Sequence, residues 1–294
     1  MRDSLTALLS VTIALALATT AQATTFTYTT LFESDPGAEL ESDNVFYINR
    51  YDSLQDVKDT AIADTQRDES GFVVLGDVSM RGLAYDGRYL AMSETDVDRN
   101  GKTDSEVSIL SYDNYAAFRD AVPGTQTFYL PDIDVGADFD IGAFFYDGKY
   151  RILFERNDNN SSNLTLAWTY NTFQDLLDGI LFSSDFLSIN PTAGTSVAGV
   201  AYDGKYQVML ETQGVLGPGE EFYLQTYNSF EQMVTGTGIL PAGMFTQIDA
   251  GSNFSMAGFA AEERDTAPPV PLPAGFPFLL AALASFVLIR QRSI

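Results

Sequence analysis

Short apolar runs, four to seven residues long and broken by turn residues, recur along the chain at regular intervals. The clearest are three copies of one motif: Tyr85-Asp86-Gly87-Arg88-Tyr89, Tyr146-Asp147-Gly148-Lys149-Tyr150 and Tyr202-Asp203-Gly204-Lys205-Tyr206. Each has a lead-in of small and apolar residues (Gly82-Leu83-Ala84, Gly142-Ala143-Phe144, Gly199-Val200-Ala201). Each is followed by a strand-like run (Leu90-Ala91-Met92, Ile152-Leu153-Phe154, Val208-Met209-Leu210). Asp-Gly between two β-rich runs predicts a tight hairpin, because the turn needs a positive φ and glycine supplies it without strain.

A second feature sets the period. Tyr51-Asp52-Ser53-Leu54, Tyr112-Asp113-Asn114-Tyr115, Tyr170-Asn171-Thr172-Phe173 and Tyr227-Asn228-Ser229-Phe230 follow one another at steps of 61, 58 and 57 residues. Each closes a strand-like run and opens a short helical pattern. Ser53 with Asp56, Thr172 with Asp175 and Ser229 with Gln232 have capping-box spacing. Leu54/Val57, Tyr115/Phe118, Phe173/Leu176 and Phe230/Met233 place apolar pairs three apart on one helical face. A last strand follows in each unit, at Phe72-Val73-Val74-Leu75, Gln126 to Leu130, Phe186 to Ile189 and Phe245 to Ile248. The unit is thus strand, Asp-Gly turn, strand, loop, strand, short helix, strand.

Four-stranded repeats of this kind suggest blades of a β-propeller. The chain ends bear on closure. A second-strand-like run, Phe26 to Phe32, precedes the first complete unit and has no first strand of its own. An orphan first strand, Ala257 to Ala261, follows the last unit. The expectation is an all-β fold with short helices: a four-bladed, propeller-like ring of about 57-residue repeats, closed by the N- and C-terminal strands so that no sheet edge is left unpaired at the seam. The blades would be 25–81 with 257–264, 82–141, 142–198 and 199–256. An open array of β-α units, with exposed edges and caps, is the rival layout.

Composition narrows the chemistry. Cysteine and histidine are both absent. That excludes disulfides, thiolate or histidine metal sites, and Ser-His-Asp or Cys-His catalysis. With 16 basic and 40 acidic residues the net charge is −24. Such a field repels nucleic acid and favours cations.

The sharpest site candidate is Asp96-Val97-Asp98-Arg99-Asn100-Gly101-Lys102-Thr103-Asp104. Alternating oxygen donors and a glycine turn suit Ca²⁺, which takes six to eight oxygens. Asp96, Asp98, Asn100 and Asp104 with the Lys102 carbonyl are the expected ligands. An EF-hand would need glutamate at the twelfth position, where Val107 stands, and strands rather than helices flank the loop. The stretch instead resembles the calcium hairpins of integrin-type propeller blades; an acidic solvent-facing hairpin is the plainer reading. Asn157 to Asn163 in the next unit is a degenerate echo. Asp86, Asp147 and Asp203 are explained by turn geometry. Asp132, Asp134, Asp138 and Asp140 form an acidic stretch, and paired carboxylates can hydrolyse glycosides at the right separation.

Both ends read as addresses. Arg2, the apolar run Leu5 to Ala18 and Ala21-Gln22-Ala23 form a signal-peptide pattern over 1–23. A proline-rich linker spans 266–273, and a charge-free run from Ala274 to Ile289 precedes Arg290-Gln291-Arg292 within a 274–294 tail, a short candidate transmembrane helix. Val270-Pro271-Leu272-Pro273-Ala274-Gly275, the apolar run and the arginine end together resemble the VPLPA-CTERM sorting signal, a variant of the PEP-CTERM tails of Gram-negative bacteria. The resemblance covers only residues 270 to 294. It implies export, transient anchoring in the inner membrane through 274–289, cleavage by an exosortase-type protease, and residence in the envelope or outside the cell. For the body, 24–265, the leading expectation is a non-enzymatic, calcium-stabilised scaffold that binds protein or polysaccharide. The alternative is a secreted glycan hydrolase or lyase working with carboxylates.

Overall fold

Each Asp-Gly pair closes a β-hairpin. Gly87, Gly148 and Gly204 sit at φ of 103°, 95° and 94°, and the Asp86, Asp147 and Asp203 N–H groups donate to the carbonyls two residues on, at 3.2, 3.1 and 3.1 Å. In the computed structural model the described residues are 24–34, 43–59, 72–75, 78–99, 102–120, 127–130, 139–156, 164–189, 195–212, 221–236, 248–249 and 254–264. The signal-peptide stretch, the linker and the apolar tail lie outside them. Among the described residues no helix is long and apolar enough to cross a membrane. Phe26–Glu263 form one compact unit.

The described strands are sixteen. They are β1 (Phe26–Ser34), β2 (Asp43–Tyr51), β3 (Phe72–Leu75), β4 (Val78–Tyr85), β5 (Tyr89–Arg99), β6 (Lys102–Tyr112), β7 (Thr127–Tyr129) and β8 (Phe139–Tyr146), then β9 (Tyr150–Arg156), β10 (Leu164–Tyr170), β11 (Ser183–Leu187), β12 (Thr195–Tyr202), β13 (Tyr206–Thr212), β14 (Glu221–Tyr227), β15 (Ile248–Asp249) and β16 (Phe254–Glu263). Among the described residues one short helix follows the third strand of each sheet: α1 (Leu54–Asp59), α2 (Tyr115–Arg119), α3 (Phe173–Leu177) and α4 (Phe230–Thr235). Capping starts them. Asn114, Thr172 and Ser229 side chains accept N–H groups three residues on, and Asp175 completes a capping box with Thr172.

The strands form four antiparallel sheets of four: β16-β1-β2-β3, β4-β5-β6-β7, β8-β9-β10-β11 and β12-β13-β14-β15. The first sheet joins the two ends of the unit, with Phe26 opposite Glu263 and Thr30 opposite Phe259. Every sheet has a register shift at the same place in its first strand, where Arg81, Gly142, Ala198 and Ala257 are the extra residues. These bulges interrupt the side-chain alternation. They explain why β4, β8, β12 and β16 begin three or four residues before the glycine and small-residue lead-ins that the pattern suggests.

Core packing connects the sheets in order. β4 touches β8, β8 touches β12, β12 touches β16 and β16 touches β4, while β16 also meets β8, and β12 meets β4, across the middle. Four buried clusters fill the gaps. One lies between the first and second sheets (Leu31, Phe46, Leu83, Tyr89), one between the second and third (Met92, Ile109, Phe144, Phe154), one between the third and fourth (Leu153, Leu187, Val200, Leu210), and one between the fourth and first (Met209, Phe222, Phe32, Phe259). First strands come so close that side chains are excluded. A Cβ on Gly82 would lie 2.4 Å from the Phe144 backbone nitrogen, and one on Gly258 would lie 2.6 Å from Leu83 Cβ.

Candidate functional site

The aspartates of the repeated motif do two jobs. Their Oδ1 atoms accept the N–H two residues on, from Arg88 (3.1 Å), Lys149 (3.1 Å) and Lys205 (3.0 Å), which braces each turn. Their Oδ2 atoms reach the next sheet. Tyr150 donates its hydroxyl to Asp86 at 2.5 Å, Tyr206 donates to Asp147, and Tyr28 donates to Asp203. At the fourth junction Tyr89 donates to Glu262 at 2.8 Å.

Register shows that these four positions are equivalent. Tyr89, Tyr150 and Tyr206 lie opposite Tyr85, Tyr146 and Tyr202, each one residue before the motif aspartate. Tyr28 lies opposite Ala261, one residue before Glu262. The tyrosine of each sheet therefore donates to the carboxylate of the preceding one, and the contacts return to their start.

Each carboxylate has a further partner. Arg88 pairs with Asp86 at 2.8 Å and Arg151 with Asp147 at 2.9 Å; Gln207 donates to Asp203 at 3.1 Å; Arg50 pairs with Glu262. Arg50, Arg88 and Arg151 also lie over the rings of Tyr115, Phe173 and Phe230 in the following unit's helix.

The tyrosines of the cycle and Asp86 are ill suited to proton transfer. Burial, and the negative partner beside each, hold the hydroxyls of Tyr28, Tyr150 and Tyr206 well above the ordinary tyrosine range. Burial does the same to Tyr89. Burial works to raise Asp86, but the Arg88 guanidinium and the Tyr150 hydroxyl more than offset it and hold that carboxyl below its usual range. The Asp86 and Asp147 side chains are only 6 % and 3 % exposed. The cycle is a set of charge-assisted hydrogen bonds that tie sheet to sheet. Turn geometry accounts for half of what these aspartates do. The signal for the other half was the last tyrosine of every copy, together with Tyr28 and Glu262 at the matching positions of the split first sheet.

In the Asp96–Asp104 hairpin, where calcium ligands were expected, the backbone ladder runs without a break to the turn. Asp96 lies opposite Ser105, Val97 opposite Asp104, Asp98 opposite Thr103 and Arg99 opposite Lys102. Asn100 and the side chains of Asp96, Asp98, Lys102 and Asp104 lie outside the described residues, as do 157–163, Asp132, Asp134 and Asp138. Among the described residues no three acidic side chains gather as a metal-binding group. Asp140 lies on β8 directly opposite Glu155.

An apolar stretch meets the motif turn of the third sheet at Lys149. After α3 the chain runs Ile180-Leu181-Phe182, with Ile180 and Phe182 each 57 % exposed, and β11 adds Phe186 at 62 %. The stretch is held rather than loose: the Phe182 N–H donates to the Thr169 carbonyl at 2.8 Å, and Lys149 Nζ lies 3.8 Å from the Phe182 ring centre. β11 is the outermost strand of the third sheet. Consecutive exposed apolar residues on an ordered segment mark an interaction surface more often than chance. Pattern reading missed it because Gly179 to Phe182 lies between elements, where periodicity has nothing to say.

No family model, curated protein or solved structure matches the chain.

Proposed function

We propose that the body of the chain is a four-bladed, propeller-like scaffold that binds a protein or polysaccharide partner outside the cytoplasm, and that it is not an enzyme. The observation that carries the reading is the closed order of the tyrosine–carboxylate contacts. It favours a ring of four equivalent blades over an open array, whose end units would lack a partner for one tyrosine and one carboxylate. The motif carboxylates are consumed in holding that ring. Glu155, which faces Asp140, is 8 % exposed and bonded to the Val197 N–H, so this pair does not present two carboxylates to water as a glycosidase would require.

The partner surface in this reading is the apolar patch of Ile180, Leu181, Phe182 and Phe186. Aromatic faces serve equally for a sugar ring or a protein side chain. Calcium at the Asp96–Asp104 hairpin stiffens one blade. The signal peptide exports the chain, and the 270–294 tail holds it in the inner membrane until an exosortase-type protease releases it to the envelope or the medium. A glycan array run beside a product assay tests the function. Binding without turnover that Phe182→Ser with Phe186→Ser abolishes supports it. Turnover that survives those changes and fails in Asp140→Asn selects the hydrolase instead.

A further inference from the structure

Each sheet ends in an edge strand, and an open edge is a template on which another strand can pair. The four edges differ in how the chain approaches them. Charged residues (Asp64, Arg67, Asp68, Glu69) precede the edge strand of the first sheet, and Pro123 and Pro241 precede those of the second and fourth. Charge and proline both blunt an edge. The third has neither between α3 and β11 beyond Asp178; it runs Gly179-Ile180-Leu181-Phe182. Among the described residues β11 is also the longest edge strand, with five residues against four in β3, three in β7 and two in β15. Phe182 and Phe186 are both largely exposed on it.

The outer edge of β11 is open beside those rings and closed just past them. Beyond its last pair with β10, Leu187 with Thr165, the Ser188 N–H donates to the Val234 carbonyl of α4 at 2.9 Å. Alternate residues of a strand turn their N–H and C=O groups to opposite edges, so Ser184 and Phe186 turn theirs outward as Ser188 does. Among the described residues no backbone group outside the ladder pairs with them. The open stretch reads Phe182-Ser183-Ser184-Asp185-Phe186, nearly the same in both directions. A strand that pairs with its own copy across a two-fold axis must be complementary to itself. With the axis at Ser184, Phe182 lies opposite Phe186 of the second copy, Ser183 opposite its Asp185, and Ser184 opposite its equivalent. Aromatic meets aromatic, hydroxyl meets carboxylate, and no like charges are opposed. An axis at Asp185 would oppose two carboxylates, and one at Phe186 would bring Ser184 against the Ser188 that α4 already holds.

We propose that β11 pairs antiparallel with β11 of a second copy of the chain about a two-fold axis at Ser184, which joins the third sheets of the two copies into one. The inference rests on the reading that the apolar patch is a docking surface, and it names the occupant. The two phenylalanines expose about 200–250 Å² per copy, which puts the interface at the small end of specific ones, so the pair is reversible. Each copy carries a net charge of −24, and repulsion between two such chains opposes pairing until salt screens it. Association therefore strengthens as salt is raised, the reverse of a contact held by opposite charges.

The chain has no cysteine, so Ser184→Cys in the full chain reports on the axis directly. Opposed Cα atoms about 5.5 Å apart lie within disulfide range. Under mild oxidation at micromolar protein, non-reducing intact mass should show a 184–184 linked dimer. It should form at least about tenfold faster than the dimer of Thr127→Cys, an exposed position on the edge of the second sheet, because pairing raises the local thiol concentration. Raising NaCl from about 0.05 to about 0.5 M should speed it further. Adding Phe186→Asp should slow it by at least about tenfold and leave the Tm within about 2 °C, since Phe186 is exposed. Linking no faster than in Thr127→Cys, or linking that Phe186→Asp leaves undiminished, overturns the proposal. Glycan or protein binding at the patch of a chain that does not cross-link discards the second copy as occupant and leaves the docking reading standing.

Discussion

Replacing Tyr206 by phenylalanine removes one hydroxyl and leaves the ring contacts with Phe145, Tyr202 and Phe230 in place. The Asp147 carboxylate, nearly inaccessible to water, then keeps Arg151 and the Lys149 N–H but loses its bond from the fourth sheet. A hydrogen bond to a charged group contributes about 1.5–3 kcal/mol. At about 2–4 °C per kcal/mol for a domain of this size, the Tm should fall by about 3–12 °C. Asp147→Asn alone also disturbs the turn, so the informative quantity is the coupling in the double-mutant cycle of Tyr206→Phe with Asp147→Asn. It should be about 1 kcal/mol or more, measured by urea unfolding. Tyr146→Phe, whose hydroxyl lies outside the cycle, is the control and should stay within about 0.5 kcal/mol of wild type. A coupling near zero, or a control as damaging as Tyr206→Phe, would refute the claim that these contacts tie the sheets together.

Other outcomes follow from the same packing. Burial, with the Asp140 charge adding to it, pushes the Glu155 carboxyl up to about 7 from an ordinary 4.5. A raised carboxyl stabilises the fold when protonated, so its contribution is full below about pH 4.5 and is lost as pH rises to about 7; the loss is about 3 kcal/mol, and Glu155→Gln should flatten that part of the stability–pH curve. Asp86 has the opposite sign: its depressed pKa lends stability above the ordinary carboxyl range that disappears as pH falls, and Asp86→Asn should blunt acid unfolding. Gly82→Ala must displace the Phe144 backbone and should cost about 3 kcal/mol or more, whereas Gly87→Ala, with open space around it but a φ of 103°, should cost about 1–2 kcal/mol; chemical denaturation of both variants checks the order. Ca²⁺ should raise the Tm through the hairpin, and Asp98→Ala should remove that rise; no rise before the Asp98 change, or an equal rise after it, would discard the hairpin ligands.

Element positions were legible where local chemistry decides them. Asp-Gly needs glycine at a positive φ, and Thr172 with Asp175 forms its capping box from residues three apart, so both turn and helix start show in a short window. The pairing of Phe26–Ser34 with Phe254–Glu263 was legible because the first unit lacked one strand and the last remnant supplied one. The bulges at Arg81, Gly142, Ala198 and Ala257 were not, since an extra residue in a strand breaks the alternation that would reveal it. The tyrosine–carboxylate contacts join residues 59 to 175 positions apart, and no local pattern names the partner of Tyr206 or Tyr28.

The two ends of the Phe26–Glu263 unit meet in one sheet and so close the order of the four. Because the chain has no cysteine, a pair introduced as Phe26→Cys with Glu263→Cys, directly opposed in the ladder, reports on this without interference. Opposed Cα atoms of an antiparallel pair lie about 4.5–5.5 Å apart, within disulfide range. Intact mass and non-reducing peptide mapping should find a quantitative intramolecular 26–263 disulfide in the folded protein, with a raised Tm under oxidising conditions. Free thiols, or only intermolecular dimers, would show that the ends do not meet and would contradict the account.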